Sequence, residues 1–298
     1  MEVTVLGHGS LMSGQGLSFS GTVHVKAASI VALRECRRGF AKLSRYGDRF
    51  ATDVESPQWP LTGRTMAPTT MPTGEVEVLA LTVEIEDFSG LVKREGYSAI
   101  AMYQLAILAR GQGKSLAGFL WALHEDMGHD RVAYRRRLWA LTGFTSPHYI
   151  PHPVRLDTEG YALIFLAPGA EGTGADDVIA VRQETGIHAV MTMNDTWRRK
   201  PNEDQLTYFL SCLLGGVHGL NVRDLLPTQE DPALANRVRE QLTQRLVVER
   251  EQFLTVTMLS REQYHHGFGD AETAVARGGL TDFLSGARGA YGMSGARL

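Results

Sequence analysis

Val3-Thr4-Val5-Leu6-Gly7-His8-Gly9-Ser10-Leu11-Met12 joins a short β-rich run to a glycine loop with no spacer between them. Loop amides opened by Gly9 and Ser10 at the end of a first strand can form a concave nest of donors for an anion such as a carboxylate. Working outward, Val23–Leu33 is rich in Val, Ala and Ile and predicts a second strand. Phe40–Phe50 offers another, before a loop rich in Pro and Thr over Ser56–Thr73. Glu75–Ile85 alternates polar and apolar residues over its first half, the pattern of a half-buried strand.

The middle of the chain changes period. Ile100, Ala101, Tyr103, Leu105 and Leu108 suit a helix over Ser98–Arg110, and further helices are expected at Ser115–Met127 and about Arg131–Leu141. Tyr161–Ala167 and Ile187–Met193 are short apolar runs expected as buried strands, with a glycine-rich loop, Pro168–Gly174, between them. Glu203–Leu214 reads as a helix closed by Gly215-Gly216. After Pro227, Asp231 can cap an amphipathic helix with Pro232 at its first position, continuing through Ala233–Phe253.

Composition limits the function. The 298 residues carry 30 Lys+Arg against 33 Asp+Glu, a net charge of −3, so no field concentrates polyanions and nucleic acid is not an expected partner. With 43% hydrophobic and 21% charged residues the chain can build a core. The cysteines Cys36 and Cys212 form no disulfide framework or metal-type spacing, which fits a reducing cytoplasm. No secretory signal and no run near the ~18 apolar residues of a membrane helix is read, so no membrane partner is expected.

Several motif-like stretches fail on spacing. Gly111-Gln112-Gly113-Lys114-Ser115 ends like a phosphate loop, but the position of its first glycine is Leu108, so a loop between two helices is the better account. His124 and His129 are five apart on an expected helix, about 500° of rotation, which spreads them off one face. With Glu125, Asp126 and Asp130 they read as a solvated helix end, and no metal is expected. Arg135-Arg136-Arg137 and the run around Arg34, Arg37 and Arg38 read as solvated faces or local ion pairs. Ser10 near His8 lacks the Gly-x-Ser-x-Gly elbow of a hydrolase nucleophile. Glu95, before Gly96 and Tyr97, reads alone as a surface glutamate.

The glycine loop and Glu95 together change the reading. The opening Gly7-His8-Gly9-Ser10-Leu11 resembles the Tyr-Gly-Ser-Leu or Tyr-Gly-Ser-Asn loop that follows the first strand in the γ-glutamylcyclotransferase-like superfamily, and Arg94-Glu95-Gly96-Tyr97 resembles the segment carrying that family's catalytic glutamate. Val31-Ala32-Leu33-Arg34 and Arg37-Arg38-Gly39-Phe40 are similar to its second strand and following turn. Tyr208–Leu214, with Gly219, Asn221 and Asp224-Leu225-Leu226, resembles the closing helix and turn of the ChaC-like branch. The similarity spans residues 3–97 and returns at about 205–226. His8 stands where the family has tyrosine.

The resemblance implies an α+β fold, a small mixed β-barrel flanked by helices. The domain would span 1–227 with a helical insertion at about 98–200, followed by a C-terminal helical extension over 228–298. It implies that the loop amides of Gly9, Ser10 and Leu11, with His8 and Tyr97 alongside, bind the α-carboxylate of a γ-glutamyl or related amino-acid-derived substrate. Glu95 would be the catalytic proton shuttle: the freed α-amine attacks its own γ-carbonyl and releases an amine and 5-oxoproline, without cofactor or metal. Ring closure within one molecule brings a proximity gain that can reach ~7 kcal/mol, and a buried carboxylate of raised proton affinity suits the transfer. The chemistry would be weakened by a cation bound to that carboxylate. Two alternatives stay open: a non-catalytic binder of small acidic ligands, and an amide-forming or amide-transferring relative. An apolar stripe on the C-terminal helix would serve either a homodimer or packing onto the barrel.

Overall fold

The computed structural model of the chain describes residues 1–18, 20–34, 36–39, 65–68, 75–144, 149–157, 160–166, 247–266 and 295–297. In chain order these are β1 (Glu2–Gly7), a 3-10 turn (Gly9–Met12), α1 (Gly14–Ser18), β2 (Val25–Arg34), β3 (Cys36–Gly39), β4 (Thr65–Pro68), β5 (Glu75–Glu84), α2 (Phe88–Arg94), α3 (Ala99–Gly111), α4 (Leu116–Asp126), α5 (Arg131–Thr142), β6 (Ile150–Leu156) and β7 (Tyr161–Leu166). Helical residues 247–257 (α6) and 261–266 (α7) follow, then β8 (Gly295–Arg297).

The class is α+β. Five strands form a mixed sheet in the order β2-β5-β1-β7-β6, antiparallel at every neighbour except the parallel pair β1–β7. The three-residue β8 pairs with both edge strands, Ala32–Arg34 on β2 and Arg155 and Leu156 on β6, and stitches the edges together at one end. Arg34 also reaches Asp157 there at 3.0 Å, one of the ion pairs expected around the basic run. Strands β3 and β4 form a separate hairpin, so part of the stretch expected as a Pro- and Thr-rich loop is strand; Phe40–Phe50 lies outside the described residues.

Alternation along the strands builds two apolar layers. Val3, Val5, Leu79, Leu81, Leu163 and Phe165 pack with α2, α3, α4 and α6. Leu6, Val31, Val78, Ala80, Ile164 and Val154 make a second cluster, in which every member among the described residues comes from a strand. A sheet face that finds its apolar contacts on its own strands must curl around them, and the Thr4–Thr82 hydroxyl pair at 3.1 Å continues that face. Both β6 and β7, drawn from the 98–200 stretch, belong to this sheet.

β6 carries Pro151 and Pro153, residues that lack the N–H a central strand needs. Its register explains the tolerance. The Pro151 carbonyl accepts from the Tyr134 hydroxyl at 2.9 Å, so that side of the residue faces α5 and away from β7. The missing amide therefore falls on the outer edge.

α3, α4 and α5 each start at a side-chain cap. Ser98 Oγ accepts from Ala101 N–H and Ser115 Oγ from Gly118 N–H at 3.1 Å. Asp130 accepts from both Val132 and Ala133. Ser115 is the residue that ends the phosphate-loop look-alike, and it sits between α3 and α4 as a cap. Ser115→Ala is therefore expected to cost about 1 kcal/mol, measured as a lowered urea midpoint at unchanged slope.

The buried face of α3 matches the expected one in part: Ala101 and Leu105 point inward with Met102, Ala106 and Ala109, while Ile100, Tyr103 and Leu108 of the expected set are exposed. Close backbone approach fixes two further contacts. A Cβ on Gly14 would lie 2.3 Å from Phe253 N, so α6 rests directly on α1. One on Gly90 would lie 2.3 Å from Ser20 O. Phe253, Leu254 and Val256 enter the helix-covered layer, so this part of the C-terminal helix joins the core. No helix among the described residues is long and apolar enough to cross a membrane.

Candidate functional site

β1 delivers the glycine loop to the sheet end marked by the Gly7–Leu79 pair. His8 is buried, and its Nε2 lies 2.9 Å from Phe165 O; a carbonyl only accepts, so Nε2 carries the proton. Gly9 adopts φ 62°, a left-handed conformation that favours glycine, and turns the chain into the 3-10 turn. Leu11 N–H then donates to His8 O at 3.3 Å, and the Leu11 side chain enters the core. Of the three amides the resemblance assigns to a carboxylate, that of Leu11 is already used within the turn. The Ser10 side chain lies outside the described residues.

Glu95 stands at the C-terminal cap of α2. Its placement follows from a Schellman-type ending: Gly96 takes φ 72°, Gly96 N–H donates to Lys93 O, and Tyr97 N–H reaches back to Val92 O at 3.0 Å. This motif turns Glu95 inward, and the residue is only 8% exposed, against the surface position its sequence alone implies. Arg94 Nη1 lies 3.5 Å from Glu95 Oε1, with both side chains nearly buried. The carboxylate thus has a cation beside it.

Tyr97 is buried one turn away, its ring edge-on to Phe144 at 5.0 Å. Burial pushes its hydroxyl up to about 12, with Thr142 acting weakly the other way. Across the same connection His8 meets Tyr149 edge-on at 6.1 Å. Phe144 and Tyr149 flank the link between α5 and β6. The loop half and the glutamate half of the expected site therefore abut the two ends of one short segment. A shallow apolar groove of about 160 Å³ lies elsewhere along α2, lined by Ile85, Phe88, Val92, Met102 and Tyr103, and includes none of the expected site residues.

A second polar cluster escapes the sequence reading. His124, expected on a solvated helix end, is buried, and Arg135 of the expected solvated arginine run is buried too. The helical-wheel argument fails because α4 stops at Asp126: Gly128 and His129 adopt φ 64° and 60°, and this reversal returns His129 Nδ1 to 3.3 Å from His124 Nδ1. His152 of β6 joins them, its ring 4.6 Å from that of His124. Two consecutive residues able to take left-handed φ after a charged helix end were the available signal. Among the described residues no group of three or more His, Cys, Asp or Glu side chains is arranged to hold a metal ion. The chain matches no protein-family model, no curated protein and no solved structure.

Proposed function

We propose that the protein is a γ-glutamylcyclotransferase-like enzyme, its curled sheet being the small barrel of that fold. The observation that carries the reading is the inward-turned Glu95 carboxylate, on a segment whose Tyr97 meets Phe144 while the loop's His8 meets Tyr149 at the far end of the same connection. In the proposed reaction Glu95 takes a proton from the α-ammonium of a γ-glutamyl amide. The freed amine forms a bond to the γ-carbonyl carbon; as the tetrahedral intermediate collapses and the bond to the departing nitrogen breaks, that nitrogen receives the proton held by Glu95, and the second proton of the attacking nitrogen passes by way of the same carboxylate to the departing amine, which leaves as its ammonium ion. The products are 5-oxoproline and an amine, with all atoms accounted for and no cofactor consumed. Gly9 and Ser10 supply the loop amides nearest the substrate carboxylate.

The Arg94–Glu95 pair favours a second reading, in which the same residues bind a small acidic ligand without turning it over. Mass-spectrometric detection of 5-oxoproline after incubation with glutathione and a panel of γ-glutamyl amines and dipeptides separates the two. Release is expected for at least one γ-glutamyl compound; a folded protein that releases none from the whole panel would sink the cyclising reading.

A further inference from the structure

Four rings meet where α4, its reversing turn, α5 and β6 converge. His124 lies 4.9 Å from His129, 5.2 Å from Tyr134 and 4.6 Å from His152, and Tyr134 is 5.9 Å from His152, all edge to face. His124 is 3% and His152 1% exposed, and the Nε2 atoms of both have no hydrogen-bond partner among the described residues. Neutral imidazoles fit such a place as flat packing surfaces, whereas an imidazolium would bury an Nε2–H with no acceptor among the described residues.

We propose that His124 and His152 form an acid-triggered latch: proton uptake releases the α4–α5 hairpin from β6, and with it Phe144 and Tyr149, the residues that touch the two halves of the candidate site. The inference rests on the cluster's geometry and stands whether or not the site is a cyclotransferase.

The charged neighbours set the direction. The turn contributes His129 and Asp130, α5 contributes Arg131 and Tyr134, and β6 contributes His152 itself. Burial first, then His129 and Arg131, pull His124 down to about 4; burial first, then Arg131, His124 and His129, pull His152 well below its ordinary 6.5. The His129 backbone and then Asp130 favour a charged His124, and the Asp130 Oδ1 is already engaged by the Val132 and Ala133 amides. In the released state both histidines titrate near 6.5. The latch is therefore fully stable above that pH and weakens as pH falls toward 4, its opening constant rising about tenfold per pH unit for each proton taken up. The Tyr134 bond to Pro151 O is one polar tie between hairpin and strand.

Hydrogen exchange of the whole chain, read peptide by peptide from pH 7 to 4.5 and corrected for intrinsic rates, tests this. The expected result is a loss of protection of ten- to hundredfold per pH unit confined to α4, α5 and β6, while β1 and β5 stay protected. His152→Phe keeps an aromatic ring and removes one titrating group, so it should flatten the response by about tenfold per pH unit. His124→Phe answers the same question if His152→Phe does not fold, and the wild-type profile is decisive without either variant. Protection that is flat with pH, that falls equally in β1 and β5, or that is unchanged in a folded histidine variant would overturn the proposal.

Discussion

Replacing Glu95 by glutamine is expected to lower 5-oxoproline release by about 10²–10⁴-fold, the usual worth of a positioned general acid–base. Glutamine keeps the size and the hydrogen-bonding oxygen but cannot accept a proton from an ammonium group and return it to a leaving amine. The loss should therefore fall on kcat, with KM changing little. Because Arg94 lies 3.5 Å from the carboxylate, the substitution also removes an anion from beside a nearly buried guanidinium, and a stability loss of about 1–3 kcal/mol is expected with it. Activity must therefore be compared at a temperature where circular dichroism shows both proteins folded. Arg94→Gln supplies the control: a proton shuttle needs Glu95 and not its neighbour, so release should persist in that variant. Equal collapse of ligand binding in both variants, with no turnover in the parent, would point to an acidic-ligand binder built on the pair.

Gly14→Ala is expected to cost about 3 kcal/mol or more, because the added Cβ would meet Phe253 N at 2.3 Å and Gln252 C and Phe253 Cα at 2.7 Å. These are backbone atoms of a helix, so no side-chain rotation relieves the overlap; α6 or α1 must move as a body. At the ~2–4 °C per kcal/mol typical of a large domain, the melting temperature should fall by roughly 6–12 °C in calorimetry. Gly111→Ala is the matched comparison: nothing lies within 4 Å of its added Cβ, and the residue closes α3 without a left-handed φ. It should melt at or slightly above the parent. Equal melting of the Gly14 and Gly111 variants would mean that α6 does not rest on α1.

How much of this was legible depends on what each residue had to reveal. β1 and β5 announced themselves through β-rich and alternating residues, β7 through a short apolar run, and α3 through the spacing of its apolar residues. The phase of α3 did not, since Ile100, Ala101, Met102, Tyr103, Leu105 and Ile107 leave almost no polar face to orient it. β6 was hidden by Pro151 and Pro153, whose tolerance depends on which side of the strand is an outer edge, a fact of tertiary pairing. α2 has only seven residues, too few for a period to emerge. For the candidate site, the loop position followed from the glycines, but the burial of Glu95 depends on a helix ending and on the packing of Tyr97 against Phe144. The His124–His129 pairing required knowing that α4 ends three residues earlier than His129.

The β8 stitch bears on how the chain reaches its fold. Ala32–Arg34 find their partners Gly295–Arg297 only about 260 residues later, so this is a contact of very high sequence separation and among the last to form. At roughly 5–20 residues per second of synthesis, this pairing waits for tens of seconds until β8 emerges from the ribosome. So late a closing contact gives time for association with another nascent chain. Overexpression at lowered temperature, or with chaperones that shield nascent chains, should therefore raise the soluble yield more than any change made to the finished protein.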